Sequence, residues 1–413
     1  MTSPQVELLI VGMEELHTMD PARGEGPTGR IHDAAVGFTG GRVSYLGPAA
    51  TAPEAARRVS APGTIGLPGL IDCHTHSLYA GDRAAEFRRR LNGEPYTSIL
   101  ESGGGILSTV RATRAASDET LAERLHARLS AMLRQGVTTV EVKTGYALDE
   151  EHELRCLRLL REGPWPQRVV PTYLGAHAIP AEFRQDREAY VQLMLQRVLP
   201  QAAELAEAVD VYCDRGAFTL EETRRVLEAG MSRGLVGRVH AEQVDYTGAA
   251  ALAASLGCAS ADHLERIDAA GIAAMAQAGT IGGMLPTAML YMRDTAPPAR
   301  QMIEAGVRLA VATDYNPGSA PCPDLWTAAT LSCLLMGLTV EEALLGVTRH
   351  AGLALGRPEL GWLTIGGPGD LCLMRPPPGA PARAETLVQH MGGHRAALVA
   401  REGRVVVEVV SGW

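Results

Sequence analysis

Four histidines and one aspartate of this chain share a local setting: each closes a short run rich in apolar residues. GLIDCHTH (69–76) ends on His74-Thr75-His76, GRVHAEQ (237–243) carries His240, CASADHL (258–264) carries His263, and VRLAVATDYN (307–316) carries Asp314. Residues i and i+2 of a strand point to the same side, so His74 and His76 face one centre. Three imidazoles and a carboxylate suit a borderline divalent ion such as zinc or iron, with one coordination position left for water. That is equipment for hydrolysis. Each residue alone has a blander reading. A lone His-x-His occurs by chance, Asp314 could cap the helix after it, and single histidines such as His17, His32 and His394 are more often surface residues. The shared position carries the inference, because four of the twelve histidines, with Asp314, end four separate strand-like runs.

The elements that must position these residues alternate in type. VTTVEVKTGY (137–146), VVPTYLGAH (169–177), VDVYCDRGAF (209–218) and GTIGGML (279–285) complete a set of eight candidate strands. Between them lie segments with helix-like apolar spacing, such as 118–136 and 220–234. Eight strand–helix repeats predict an α/β fold, a (β/α)8 TIM-like barrel, whose functional residues sit where the strands end. An open doubly wound sheet lacks support: no G-x-G-x-x-G opens a helix after the first strand, and the Gly run at 103–105 lacks a Walker lysine. That run is expected to be a turn or loop near the mouth. Pro/Gly-rich seams near 62–69 and 361–370 set off strand-like ends: 6–12, 34–47, 370–376 and 397–410, the last with a Glu402-Gly403 turn. The expected organisation is a barrel over 63–359 and a small composite β-sandwich domain built from 1–62 and 360–413.

Composition narrows the functional class. The chain has 413 residues, 46% hydrophobic and 21% charged, with a formal net charge of −9. A nucleic-acid binder would show a basic patch with interleaved aromatics, and only the short Arg88-Arg89-Arg90 run is present. Lys143 is the sole lysine. No apolar run approaches bilayer length, and no signal peptide is evident. Seven scattered cysteines without a C-x-x-C pair suit reduced thiols, so a cytoplasmic protein without disulfides is expected.

LPGLIDCHTH resembles the opening metal motif of the amidohydrolase superfamily, whose members pair such a barrel with a small β-sandwich. From about residue 60 to 355 the chain closely resembles the imidazolonepropionase family within it. The segments AGDRAAEFRRRLNG (80–93), ESGGGILSTVRATRAAS (101–117), GVTTVEVKTGY (136–146), TYLGAHAIP (172–180), HAEQ (240–243), SADHLE (260–265) and ATDYNPGS (312–319) carry the likeness. The resemblance implies metal ligands at His74, His76, His240 and Asp314, and a histidine assisting the water at His263. It implies substrate contacts at Arg83, Tyr146, His177, Gln243, Asn316, Gly318 and Ser319. The implied reaction is hydrolysis of 4-imidazolone-5-propanoate to N-formimidoyl-L-glutamate. Asp314, His263 and His177 would be catalytic, with His177 polarising the substrate carbonyl. Arg83 offers a planar fork for the propionate, and Tyr146 a hydroxyl donor. On their own, Arg83 reads as a surface ion pair and Tyr146 as core packing.

The chain departs from the family pattern in two places. Gln243 stands where some members have Glu, and neighbouring Glu242 points to the opposite face of a strand, so Gln243 is expected to hydrogen-bond the ring rather than act as a base. Ser319 stands where Thr is common, which keeps the hydroxyl. In binuclear relatives such as dihydroorotase and the hydantoinases, a carbamylated lysine of the fourth strand bridges two metals. The fourth strand here has no lysine, so the resemblance implies one divalent metal, zinc in preference to iron, with Lys143 in a structural or supporting role. A homodimer acting on a small molecule is implied. A deaminase or other cyclic amide or amidine hydrolase is the alternative. Deaminases place a Glu where Gln243 stands. A catalytically silent scaffold would have lost metal ligands, and all four are present.

Overall fold

The computed structural model of the protein describes residues 6–94, 98 and 104–409. Its N-terminal strands are β1 (Val6–His17), β2 (Arg30–Thr39), β3 (Arg42–Pro48), β4 (Ala55–Ser60) and β5 (Ile65–Pro68). Eight further strands follow: β6 (Leu70–Asp72), β7 (Val137–Lys143), β8 (Arg168–Ala176), β9 (Ala208–Cys213), β10 (Val236–Ala241), β11 (Ser260–His263), β12 (Ile281–Met284) and β13 (Leu309–Val311). The chain ends with β14 (Leu371–Met374), β15 (Ala396–Arg401) and β16 (Arg404–Glu408).

Strands β6 to β13 form one parallel sheet in sequence order. The ring is drawn together just beyond the C-terminal ends of its first and last strands. Thr75 pairs in parallel with Tyr315, Asp314 N donates to His74 O at 3.0 Å, and His76 N donates to Tyr315 O at 2.9 Å. One layer below, the Asp72 carboxylate accepts from Thr313 N at 3.1 Å and Thr313 Oγ1 at 2.6 Å. The segments that close the barrel therefore also carry His74, His76 and Asp314. This is a TIM-like barrel.

The strands bury both faces, as parallel strands do. Val140, Val142, Val209, Val211 and Val239 lie in the main apolar core with Leu125 and Leu129. Each fully buried aliphatic side chain contributes roughly 1.5–3 kcal/mol. The helix Asp118–Leu133 begins at Ser117, whose hydroxyl accepts from Thr120 N, and Leu220–Met231 begins with a Thr219–Glu222 capping box. Both stop three residues short of the expected ends. Gly136 and Gly234, at φ +98° and +87°, terminate those turns in a conformation a helix cannot continue.

The two chain ends meet in a second, mixed sheet of order β16-β15-β14-β5-β1-β2-β3, with β4 parallel to β1. The Glu402-Gly403 hairpin turn is present, both residues at positive φ. Two strands escape the sequence pattern. The Pro/Gly-rich seam itself supplies β5, antiparallel to β14, and the largely exposed AARRVS run supplies β4 as an edge. Two histidines expected at the surface are buried. His17 ends β1, with Nδ1 2.8 Å from Thr28 Oγ1; His394 stacks on Trp326 at 4.9 Å between ring centroids. Of these three, only His32 is exposed. The Gly run at 103–105 lies partly outside the described residues, and Gly105 precedes the helix Ile106–Ala115. All seven cysteines are free.

Candidate active site

Alternation along the strands places a second set of side chains inside the barrel. Contacts between non-neighbouring strands identify them: Lys143 of β7 reaches Asp210 of β9, and Arg238 of β10 reaches Glu141 of β7. Glu141 and Lys143, Asp210 and Tyr212, Arg238 and His240, and Ser260 and Asp262 are therefore period-two pairs facing the lumen. At its mouth four side chains converge. His240 Nε2 is 3.1 Å from His74 Nε2 and 3.2 Å from His76 Nε2, and Asp314 Oδ1 is 3.3 Å from His76 Nε2 and 3.6 Å from His74 Nε2. All four are at most 3% exposed.

His263 joins by a different route. It follows inward-facing Asp262 and would point outward in a regular strand, but its φ of +80° turns it toward His74 and His240. Asp314 is also left-handed, at φ +52°. Non-glycine residues rarely adopt such backbone, and it clusters where a site demands it.

The donor set fits a divalent cation. His74 Nδ1 lies 2.8 Å from Asp262 Oδ2, and His240 Nδ1 lies 3.1 Å from Asp210 Oδ1. With those nitrogens donating to carboxylates, the Nε2 atoms of both neutral rings are bare lone pairs aimed at each other. Burial, with Lys143 beside them, holds His74 and His76 well below the usual imidazole range. His240 is pushed down to about 3, also chiefly by burial. Asp314 Oδ1 is buried without a hydrogen-bond partner. Buried lone pairs facing one another at such distances call for a cation between them.

The remaining expected residues surround this centre. His177 stacks on His76 at 5.0 Å, and Tyr146, buried, lies 5.5 Å from the His177 ring. His177 Nδ1 is 3.0 Å from Gly145 O. A carbonyl only accepts, so this nitrogen carries the proton and Nε2 of the neutral ring is an acceptor. Gln243 Oε1 accepts from Tyr212 Oη at 3.0 Å. Glu242, at φ +58°, is buried against the start of the helix Ala249–Leu256, where Ala250 N lies 3.4 Å from Oε1; burial raises its carboxyl to about 7. The Asn316 side chain is engaged within its own loop, accepting from Gly318 N and Ser319 N and donating to Asp314 O and Ser319 Oγ. Arg83 lies against that loop: a Cβ on Gly318 would come 2.9 Å from Arg83 Nη1. Its Nε and Nη2 are gripped by Glu86, which also accepts from Gly105 N at 3.0 Å.

The model of the amidohydrolase family matches residues 65–410. The chain belongs to the amidohydrolase family. Among curated proteins it is similar to the imidazolonepropionases of Cupriavidus pinatubonensis (44% identical over 388 residues, 92% of this chain and 90% of that one) and Rubrobacter xylanophilus (43%, 90% of each). That of Myxococcus xanthus is 41% identical over 97% of both chains. Among solved structures it resembles an atrazine chlorohydrolase mutant from Arthrobacter aurescens complexed with zinc and atraton (TM-score 0.70, 19% identity, 97% and 95% coverage). A zinc-bound adenosine deaminase from Xanthomonas campestris is equally similar (TM-score 0.71, 19% identity, 98% and 93% coverage). At that identity the likeness concerns the fold.

In this amidohydrolase, sequence reasoning missed Glu141, Asp210, Arg238, Asp262 and Glu86. The first four form the layer beneath the histidines, each at most 1% exposed. A signal for them is present: charged residues alternate with Val, Ala or His inside strands that should otherwise be apolar, as in TTVEVK, AVDVYC and GRVHA.

Proposed function

We propose that this chain opens 4-imidazolone-5-propanoate to N-formimidoyl-L-glutamate by hydrolysis of a ring C–N bond, a step of histidine degradation. The carrying observation is the convergence of His74, His76, His240 and Asp314 at the barrel mouth, in a chain 41–44% identical to imidazolonepropionases over nearly its full length. These four residues hold one divalent ion per chain, zinc in preference to iron. Such an ion lowers the pKa of water from 15.7 toward ~7.

The protein groups supply position and proton transfer. Asp314, which presents Oδ1 to the cation site beside His74 and His76, takes the proton of the attacking water on its other carboxylate oxygen. His263 orients the water from the side of His74 and His240. Arg83, clamped by Glu86 against the loop at Gly318, receives the propionate, and the Tyr146 hydroxyl and Ser319 complete that end of the pocket. His177 takes a role different from the expected one: its neutral ring accepts a substrate N–H at Nε2 and so orients the imidazolone. Gln243, paired with Tyr212, hydrogen-bonds the substrate ring and is no base. Asn316 acts by shaping the loop that presents Gly318 and Ser319.

The barrel begins at β6 and runs to about residue 359, with 1–68 and 360–413 as the second domain because β5 joins its sheet, and the enzyme works as a cytoplasmic homodimer. Among the described residues no helix is long and apolar enough to cross a membrane. Reaction in ¹⁸O-water tests the assignment. The expected product is N-formimidoyl-L-glutamate carrying one ¹⁸O, detected by mass spectrometry. No ¹⁸O incorporation from this substrate, with ammonia released from an amino-bearing ring such as cytosine or guanine instead, would make the chain a deaminase.

A further inference from the structure

The only lysine of the chain lies beneath the metal ligands. Lys143 is fully buried, with Nζ 2.7 Å from Glu141 Oε1 and 2.7 Å from Asp210 Oδ2. The other carboxylate oxygen of Asp210 lies 3.1 Å from His240 Nδ1. A parallel arrangement serves the opposite ligand: Arg238 Nη2 donates to Asp262 Oδ2 at 3.0 Å, and the same oxygen lies 2.8 Å from His74 Nδ1. Every other Lys/Arg position holds arginine. At 143 the cation must fit between two carboxylates beside the Arg238 guanidinium, and a compact ammonium does so where a planar fork would not.

The chemistry of this contact decides which nitrogen of His240 carries its proton. An ammonium only donates, so the Asp210 oxygen facing it must be an acceptor. The ammonium 2.7 Å away also favours the ionised carboxylate, so the oxygen presented to His240 is an acceptor too. Nδ1 must carry the proton, and Nε2 is left bare at the site. We propose that Lys143 is a positioning residue that acts through Asp210 to fix the metal-binding tautomer of His240. The proposal rests on the reading of His240 as a metal ligand. The usual carboxylate behind a ligating histidine orients the ring; here the orientation is set one residue further back.

The zinc dissociation constant, measured by competition with a chromophoric chelator, tests it on the full-length protein. Thermal unfolding of each metal-free variant verifies folding. Asp210→Asn is isosteric. With Lys143 present, its amide oxygen faces the ammonium and its NH2 faces His240 Nδ1, imposing the wrong tautomer. Affinity is expected to fall ~10–100-fold, the usual range for outer partners of metal ligands. Lys143→Met alone also weakens binding. Added to Asp210→Asn, however, it frees the amide to turn over and recovers part of the loss. If the double variant binds zinc no better than Asp210→Asn, the proposal fails. Should the Lys143→Met proteins not fold, Asp210→Ala decides. It removes the orienting group without imposing a tautomer, so it must bind zinc more tightly than Asp210→Asn; the reverse order overturns the relay. A wild-type protein that binds no zinc would overturn the metal reading and this proposal together. Tight wild-type binding without the double-variant rescue would overturn the relay alone.

Discussion

His74 Nε2 and His240 Nε2 stand 3.1 Å apart across the barrel mouth, and neither ring has a hydrogen to place between them. Their Nδ1 atoms are committed to Asp262 and Asp210. Two buried lone pairs held face to face repel, and the fold imposes that arrangement through strands on opposite sides of the barrel. A divalent cation converts the repulsion into coordination.

Metal removal is therefore expected to destabilise the whole domain as well as stop turnover. A ligand at 100 times its Kd contributes about 2.7 kcal/mol to stability. Chelator-treated protein should melt at a lower temperature in scanning calorimetry, and added zinc should restore the transition. An unchanged Tm with and without zinc would contradict a preorganised site.

Gly283 makes room for the carboxylate behind His74. It pairs with Asp262 across β11 and β12, and a Cβ there would lie 2.1 Å from Asp262 Oδ1. Gly283→Ala should displace Asp262, loosen His74 and weaken metal binding about 10-fold or more, on the scale of losing an outer partner. Metal content after dialysis checks it; full retention would show that Asp262 does not hold His74 in place.

How far the site could be read from sequence depended on where the chain keeps a regular period. His74 and His76 obey strand alternation, and both were assignable from spacing. Asp314 and His263 were found because they end apolar runs, yet what aims them is left-handed backbone, which spacing does not reveal. The charges of Glu141, Asp210 and Asp262 stand out inside otherwise apolar runs, but their partners sit on strands tens of residues away, and only barrel closure brings them together. The same non-local pairing explains β5, whose Pro/Gly-rich sequence becomes a strand because β14 and β1 flank it. The His177 tautomer was hidden for a related reason, since it depends on the carbonyl of Gly145 in another loop.

Arg83 is gripped on one edge by Glu86 and leans on Gly318 with the other. Arg83→Ala should raise KM for the propionate substrate ~10–100-fold, matching the ~1.5–3 kcal/mol of a charged hydrogen bond, with a smaller effect on kcat. Glu86→Gln should move KM in the same direction by less. An Arg83→Ala enzyme with unchanged KM would show that the carboxylate is bound elsewhere.

Asp314 and His263 separate cleanly by two readouts. Asp314→Ala should lose turnover and retain metal poorly. His263→Ala should keep its metal while kcat falls ~10²–10⁴-fold, the range of a proton-transfer group. Loss of metal from His263→Ala would make His263 a ligand, and full activity in Asp314→Ala would contradict the ligand set.

The most direct test of the central claim is a titration of metal-free protein with zinc, following substrate consumption and bound metal in the same samples. Activity on freshly generated 4-imidazolone-5-propanoate should rise linearly with bound zinc and reach its plateau at one ion per chain. Consumption of the substrate by the metal-free protein, or one bound ion without turnover, would contradict it.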